Sequence, residues 1–221
     1  MQVLHCDNHI LVVYKPGGVP VQADITGDPD LLTEARAWVG AQFHKPGAVF
    51  LGLVHRLDRP ARGVLVFGRT SKGAARLSAQ FRDHTVQKTY QAVVHGRPPA
   101  DQGTLVHWLE PHGQSSRIAA TGQGQRAELR YRLLAQHGPL SLLEIDLITG
   151  RKHQIRVQCS AIGCPLLGDL RHGAPQPLAD RNIGLLAARL AFDHPTSQQR
   201  LQFDSPLPPG WPWQPLEMQR M

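Results

Sequence analysis

His55-Arg56-Leu57-Asp58-Arg59-Pro60-Ala61-Arg62-Gly63 runs without a break into Val64-Leu65-Val66-Phe67. Four contiguous apolar residues read as a buried strand. Pro60 and Gly63 shape the charged segment before it into a loop. Asp58 is then one carboxylate among three arginines (Arg56, Arg59 and Arg62), all within five residues on either side. Neighbouring cations favour the ionised form of a carboxyl group, and functional side chains concentrate on loops held by rigid elements. An ordinary surface ion-pair cluster would show the same pattern.

Beyond the strand, Thr70 or Ser71 is placed to cap a helix to about Asp83, with Ala74, Leu77 and Phe81 on one face. Thr85 to His95 returns to strand. Upstream, residues 3–6 and 10–14 flank an Asp7-Asn8 turn and predict a hairpin. Lys15-Pro16-Gly17-Gly18-Val19-Pro20 is a breaker-rich loop, and Asp30 caps a predicted helix to about residue 43 with Leu31, Ala35, Trp38 and Val39 at helical spacing. Downstream, the Gly-, Pro-, Gln- and Ser-rich stretch 98–125 predicts short strands and loops. Strands follow at about 127–135 and 140–148, then a helix over 150–162 stopped by Gly163-Cys164-Pro165, strands near 185–192 and 200–204, and an irregular tail over 206–221. Hairpin-joined strands with interspersed helices predict an α+β fold with a largely antiparallel sheet, as one domain over 1–221 or two fused subdomains.

Charge narrows the partner. Lys plus Arg number 24 against 17 acids, a net +7, and residues 52–97 alone hold nine cations and two acids. The contrast suits a surface that binds polyphosphate, or a solvated basic face. No apolar run approaches a membrane span, and the N-terminus lacks a leader pattern, so the expected compartment is the cytoplasm. Three cysteines form no CxxC pair and the twelve histidines are scattered. No metal-binding spacing is present, and no G-x-x-x-x-G-K-[ST] loop.

Two further segments carry candidate chemistry. In Gln87-Lys88-Thr89-Tyr90-Gln91-Ala92-Val93-Val94-His95-Gly96 an aromatic on a strand follows a cation. Such a ring can stack on an extruded base, or pack in the sheet core. Thr149-Gly150-Arg151-Lys152-His153-Gln154-Ile155-Arg156-Val157 is predicted to open a helix. Lys152 and Arg156 would share a face, His153 would lie three residues from Arg156, and Ile155, Cys159 and Ile162 would form the apolar side. A merely solvated basic stripe is the alternative.

Together these runs resemble the RluA family of pseudouridine synthases. His-Arg-Leu-Asp-Arg-x-x-x-Gly, Lys-Thr-Tyr-x-Ala-x-Val-x-Gly, Gly-Arg-x-His-Gln-Ile-Arg-Val and Gly163-x-Pro165-x-x-Gly168-Asp169 stand in the family's order, and Asp7 to Gly18 is similar to its first hairpin. The resemblance spans about residues 3–205. It implies the pseudouridine synthase fold: a largely antiparallel mixed sheet, peripheral helices and a central catalytic cleft. It also implies Asp58 as the catalytic carboxylate, Tyr90 stacked on the flipped uracil, and Arg156 paired with Asp58 to orient it. Arg56 would enter the RNA, Ile155 would line the base pocket, and Arg59, Arg62, Lys88, Lys152 and His153 would contact the substrate. The partner would be a stem-loop of ribosomal or transfer RNA, met by a monomer without a protein partner. The reaction oxidises nothing and releases no group, so no cofactor is expected.

The chain departs from the family at Ala61-Arg62, where Thr-Ser is usual, at Lys152, where Thr or Ser is commoner, and at Gln158, where His is usual. No S4-type segment precedes the motifs, as in the compact members. Two other functions fit less well. A silent RNA-binding module has little need for an acid that repels phosphate, and a glycoside hydrolase needs a second carboxylate near Asp58.

Overall fold

Val64–Phe67 is the middle of a strand buried along its whole length. The computed structural model describes residues 1–213. Along the chain the elements are β1 (Gln2–Cys6), β2 (Ile10–Lys15), α1 (Leu31–Gln42), β3 (Gly52–Leu53), β4 (Arg62–Gly68), α2 (Ser71–Arg82) and β5 (Gln87–His95). They continue as β6 (Gln102–His112), β7 (Ser115–Ala119), β8 (Gln125–His137), β9 (Leu140–Leu147), α3 (Gln154–Ala161), β10 (Leu185–Asp193) and β11 (Arg200–Asp204). The chain divides into two compact units: Met1–Lys88 with Ala187–Ser205, and Thr89–Leu186 with the segment from Pro206.

In the first unit Asp7 closes the β1–β2 hairpin, its Oδ1 accepting from the N–H groups of His9 at 2.7 Å and Ile10 at 2.9 Å. Strand β2 lies antiparallel to β4, from Ile10 opposite Gly68 to Lys15 opposite Gly63. Thr70 caps α2 by accepting from Gly73 N–H at 3.0 Å, and a cap of this kind contributes about 1 kcal/mol. The core joins Ile10, Val12, Val64, Val66, Leu77, Val86, Leu190 and Phe192. Each fully buried chain of this size stabilises the fold by about 1.5–3 kcal/mol. Asp30 caps α1 as predicted, through Thr33 N–H at 3.0 Å and the Thr33 hydroxyl at 2.8 Å.

The second unit is an antiparallel array in the order β5-β9-β8-β6-β7. Here two expectations fail. The stretch predicted as short strands and loops contains the 11-residue β6, paired with β7 and β8. Its more sheltered positions include Gly103, Leu105, His107 and Leu109, while Val106 points outward and is exposed. Hydrophobicity therefore does not follow the pleat, and the period-two signal is lost.

The helix predicted from Gly150 begins only at Gln154. His153 takes a left-handed conformation, φ 54°, in a turn closed by Gln154 N–H on Arg151 O at 3.1 Å. Gln154 to Cys159 are all buried, so α3 has no basic stripe shared by Lys152 and Arg156. It is held by polar contacts instead. The Gln154 amide donates to Glu128 O at 3.0 Å, and the Gln158 amide donates to Leu105 O at 3.1 Å. The helix stops in a Schellman turn, with Gly163 (φ 75°) N–H on Ser160 O and Cys164 N–H on Cys159 O, both at 3.0 Å.

Strands β10 and β11 appear where predicted, and the tail expected to be irregular lies outside the described residues from 214 onward. Among the described residues no helix is long and apolar enough to cross a membrane.

Candidate active site

The loop bearing Asp58 is clamped at both ends. At its start the His55 ring stacks on Phe81, centroids 4.4 Å apart, and its Nε2 accepts from Val66 N–H at 3.1 Å. Burial, with the charge of Lys88 adding to it, pushes the His55 pKa down to about 3. The ring is therefore neutral, with its proton on Nδ1. Leu57 is buried beside it. At the far end Gly63 has φ 125°, and a Cβ there would lie 2.3 Å from Ala187 O. Only glycine fits both constraints.

Between these anchors Asp58 O accepts from Ala61 N–H at 3.0 Å, closing a tight turn around Arg59-Pro60. Arg59 O accepts from Gly18 N–H at 2.8 Å and from the Lys15 ammonium at 3.0 Å. That ammonium is fully buried and donates also to Pro16 O at 2.9 Å and Val19 O at 2.7 Å. Burial pulls the Lys15 pKa from 10.5 down to about 7. The Asp58 charge opposes this, and Arg62 and Arg59 reinforce it. Lys15 is the residue sequence reasoning missed. Its signal was present, since a lysine ending an apolar strand before Pro-Gly-Gly has little choice but to turn its amine inward onto loop carbonyls.

The arginines of the motif separate. Arg56 is exposed and has no ion pair among the described residues. Arg59 is bound within the protein: its guanidinium meets Asp28, lies 3.6 Å from Asp24, and donates to Gly18 O at 2.9 Å. Its side chain stays 38% exposed while making these contacts. Arg62 is buried, 4% exposed, at the start of β4, and Ala61 beside it is buried too. The replacement of Thr-Ser thus falls inside the fold rather than on its surface. Lys88 is half-buried on β5.

In the second unit Tyr90 is buried on β5 opposite Ile145 of β9. Ile155 and Arg156 are buried on α3, and Lys152 is exposed on the turn before it. The Arg156 guanidinium grips Asp169 with two bonds, Nε to Oδ2 and Nη2 to Oδ1, both 2.7 Å. Burial alone would raise the Asp169 carboxyl pKa. The hydrogen bonds from Arg156 and His172, with the Arg156 charge, outweigh it and hold the group well below the usual carboxylate range. His172 Nδ1 lies 3.0 Å from both Asp169 oxygens, its Nε2 is 2.8 Å from Ser115 Oγ, and that hydroxyl is 2.9 Å from His153 Nδ1. Among the described residues no group of three or more His, Cys, Asp or Glu side chains is arranged to hold a metal ion.

Residues 9–161 match the family model described as RNA pseudouridylate synthase. The chain belongs to that family. It is 36% identical over 224 residues to the ribosomal large subunit pseudouridine synthase D of Zymomonas mobilis, an alignment covering 94% of this chain and 69% of that protein. It is 32% identical to the ribosomal large subunit pseudouridine synthase C of Vibrio cholerae, over 92% of this chain and 66% of that one. The chain therefore spans about two thirds of these relatives' length. Among solved structures it is similar to human RNA pseudouridylate synthase domain containing 4, with a TM-score of 0.77, 25% identity, and coverage of 95% of this chain and 90% of that one. The α+β pseudouridine synthase fold and the isomerase class of the enzyme follow from family membership.

Proposed function

We propose that this synthase converts uridine to pseudouridine in large-subunit ribosomal RNA, with Asp58 as the catalytic residue. The RNA is taken from the names of the relatives. The observation that carries Asp58 is its loop: a short turn tethered by His55, Lys15 and Gly63, which keeps one carboxylate in a fixed position.

The reaction breaks the N1–C1′ glycosidic bond, turns the uracil while it is held, and forms a C5–C1′ bond. The proton lost from C5 is balanced by the one gained at N1. Nothing is oxidised, and no group leaves the nucleotide. The uridine must first be extruded from its stack, at a cost of a few kcal/mol. Asp58 then acts against the ribose, either by attack on carbon or by removing a ribose proton. Both routes need its carboxylate beside the sugar. Tyr90 serves as the stacking surface for the uracil, Ile155 as an apolar wall, and Arg156 as a fixed cation beside the catalytic carboxylate. Arg56, exposed and unpaired, contacts RNA phosphate.

The test is pseudouridine mapping across total RNA from cells carrying the native chain or Asp58→Asn. Sites in large-subunit RNA should vanish in the variant while RNA binding persists. Undiminished sites would remove Asp58 from the chemistry, and losses confined to another RNA would replace the substrate.

A further inference from the structure

Arg156 is joined by hydrogen bonds through Asp169, His172 and Ser115 to His153. The polarity of this chain follows from its members. Asp169 is an acceptor only, so His172 Nδ1 must carry a hydrogen and donate to it. In the neutral ring His172 Nε2 is then the acceptor for the Ser115 hydroxyl proton. The Ser115 oxygen is left to accept, which calls for a hydrogen on His153 Nδ1. The Nδ1–H of His172 is shared between both Asp169 oxygens, and the Ser115 hydroxyl has Ser116 O as a longer alternative acceptor at 3.4 Å.

The order Ser115–His172–Asp169 is that of a hydrolytic triad, but the environment is not. In a triad the carboxylate supports an imidazolium that forms during reaction. Here a full cation, Arg156, already occupies both oxygens of Asp169. Ser115 is also buried, 9% exposed. The arrangement orients a group rather than activating a nucleophile. Its members come from three places: Ser115 from the start of β7, His153 and Arg156 from the opening of α3, and His172 from the turn after Asp169. The left-handed backbone of His153 is what brings its ring to Ser115 just before the helix begins, rings of His153 and His172 lying edge-on at 5.3 Å.

We propose that His172 is a positioning residue for Arg156, acting through Asp169, with Ser115 and His153 fixing its tautomer. A lone carboxylate could rotate and offer Arg156 one oxygen. A third donor across both oxygens holds the carboxylate plane, and with it the bidentate geometry of the guanidinium. The proposal rests on the role given to Arg156 above.

The experiment compares native enzyme with His172→Asn, His172→Phe and Ser115→Ala, each checked for folding by circular dichroism. The Asn amide nitrogen takes the place of Nδ1 and keeps the bond to Asp169, whereas Phe keeps only the ring. On a large-subunit RNA transcript, His172→Phe should lower kcat about tenfold or more with KM moved less than about twofold, the effect of losing one hydrogen bond to a charged group. His172→Asn should stay within about threefold of native in kcat. Undiminished kcat in the Phe variant, a change confined to KM, or equal losses in Asn and Phe would each overturn the proposal.

A second readout is independent of turnover: exchange of the Arg156 Nε–H with water, followed by nitrogen-15 NMR. It should stay slow in the native protein and His172→Asn, and speed up in His172→Phe. Equal exchange in all three overturns the proposal. Should native enzyme convert no uridine, the function proposed above falls, and the exchange data alone decide the positioning role. Should His172→Phe not fold, Ser115→Ala decides: faster Nε–H exchange supports the proposal, and native behaviour overturns it.

Discussion

Lys15→Met removes a fully buried ammonium and leaves a chain of similar length. Native Lys15 binds its proton with a pKa of 10.5 in the open chain and about 7 in the fold. Between those values the unfolded chain holds more protons than the native one, so stability rises with pH there. The penalty for burying the cation is full below pH 7 and gone above 10.5. From pH 7 to 9 this one group should add about 2 kcal/mol to the native chain. Met cannot titrate, and it leaves the carbonyls of Pro16, Val19 and Arg59 without their donor. Each orphaned acceptor costs about 1–3 kcal/mol if water does not replace the amine.

The two effects oppose each other at pH 7, and the first has fallen to about half by pH 9. The gap in unfolding free energy between native and Lys15→Met should therefore widen by about 2 kcal/mol across that range. Urea unfolding at pH 7, 8 and 9 measures it. Taking the difference cancels groups common to both chains, including Cys159, whose thiol burial pushes up to about 12. Parallel stability curves would refute the reasoning, because they would mean that Lys15 keeps its proton equally well in both states.

Gly63→Ala should destabilise by more than about 3 kcal/mol, since its Cβ would meet Ala187 O at 2.3 Å; Gly113→Ala, with nothing within 4 Å at φ 55°, is the control, and equal melts would contradict the clash. Arg56→Ala should reduce the salt slope of RNA binding by about one phosphate contact. Arg59→Ala should leave that slope unchanged and alter stability by less than about 1 kcal/mol, its carboxylate partners being exposed. Filter binding across a salt series separates the two. Tyr90→Phe should retain most turnover and Tyr90→Ala little, because stacking needs only the ring; equal losses would shift the role to the hydroxyl.

Local signals carried most of the first unit. Asp30 and Thr70 cap the helices they were expected to cap, and the Asp7 turn closes the first hairpin, because each acts on backbone within three residues. The second unit was less legible for a physical reason: its elements answer to partners far along the chain. Gln154 looks like a helix-surface residue in sequence, yet its amide is buried against Glu128 O on β8. Gln158 does the same toward β6. Arg156 was expected to share a helix face with Lys152, but it is buried and its guanidinium is held by Asp169, 13 residues on. No periodicity encodes a bond of that kind. Asp169 did stand in a recognised motif, but without a role attached to it.

Charge counting along the sequence does not separate outward-facing cations from internal ones. The nine cations of residues 52–97 looked like a surface for phosphate. Arg59 is tied to Asp24 and Asp28, Arg62 is buried, and Arg76 donates to Pro195 O at 2.7 Å. Arg69 donates to Asp7 O and lies 4.1 Å over the Phe43 ring, and Arg97 pairs with Asp101 at 2.6 Å. Arg56, Lys72, Arg76 and Arg82 are the exposed cations of that segment without an ion pair among the described residues. A net charge written along a sequence measures the total field, which still draws in a polyanion from a distance. It overstates the number of phosphates the segment can neutralise on contact. The cations turned inward do different work here: they hold loop carbonyls and carboxylates in place, and the Asp58 loop depends on two of them, Lys15 and Arg59. Salt should thus weaken RNA binding less steeply than nine contacts would require, while turnover should respond sharply to losing the buried Lys15.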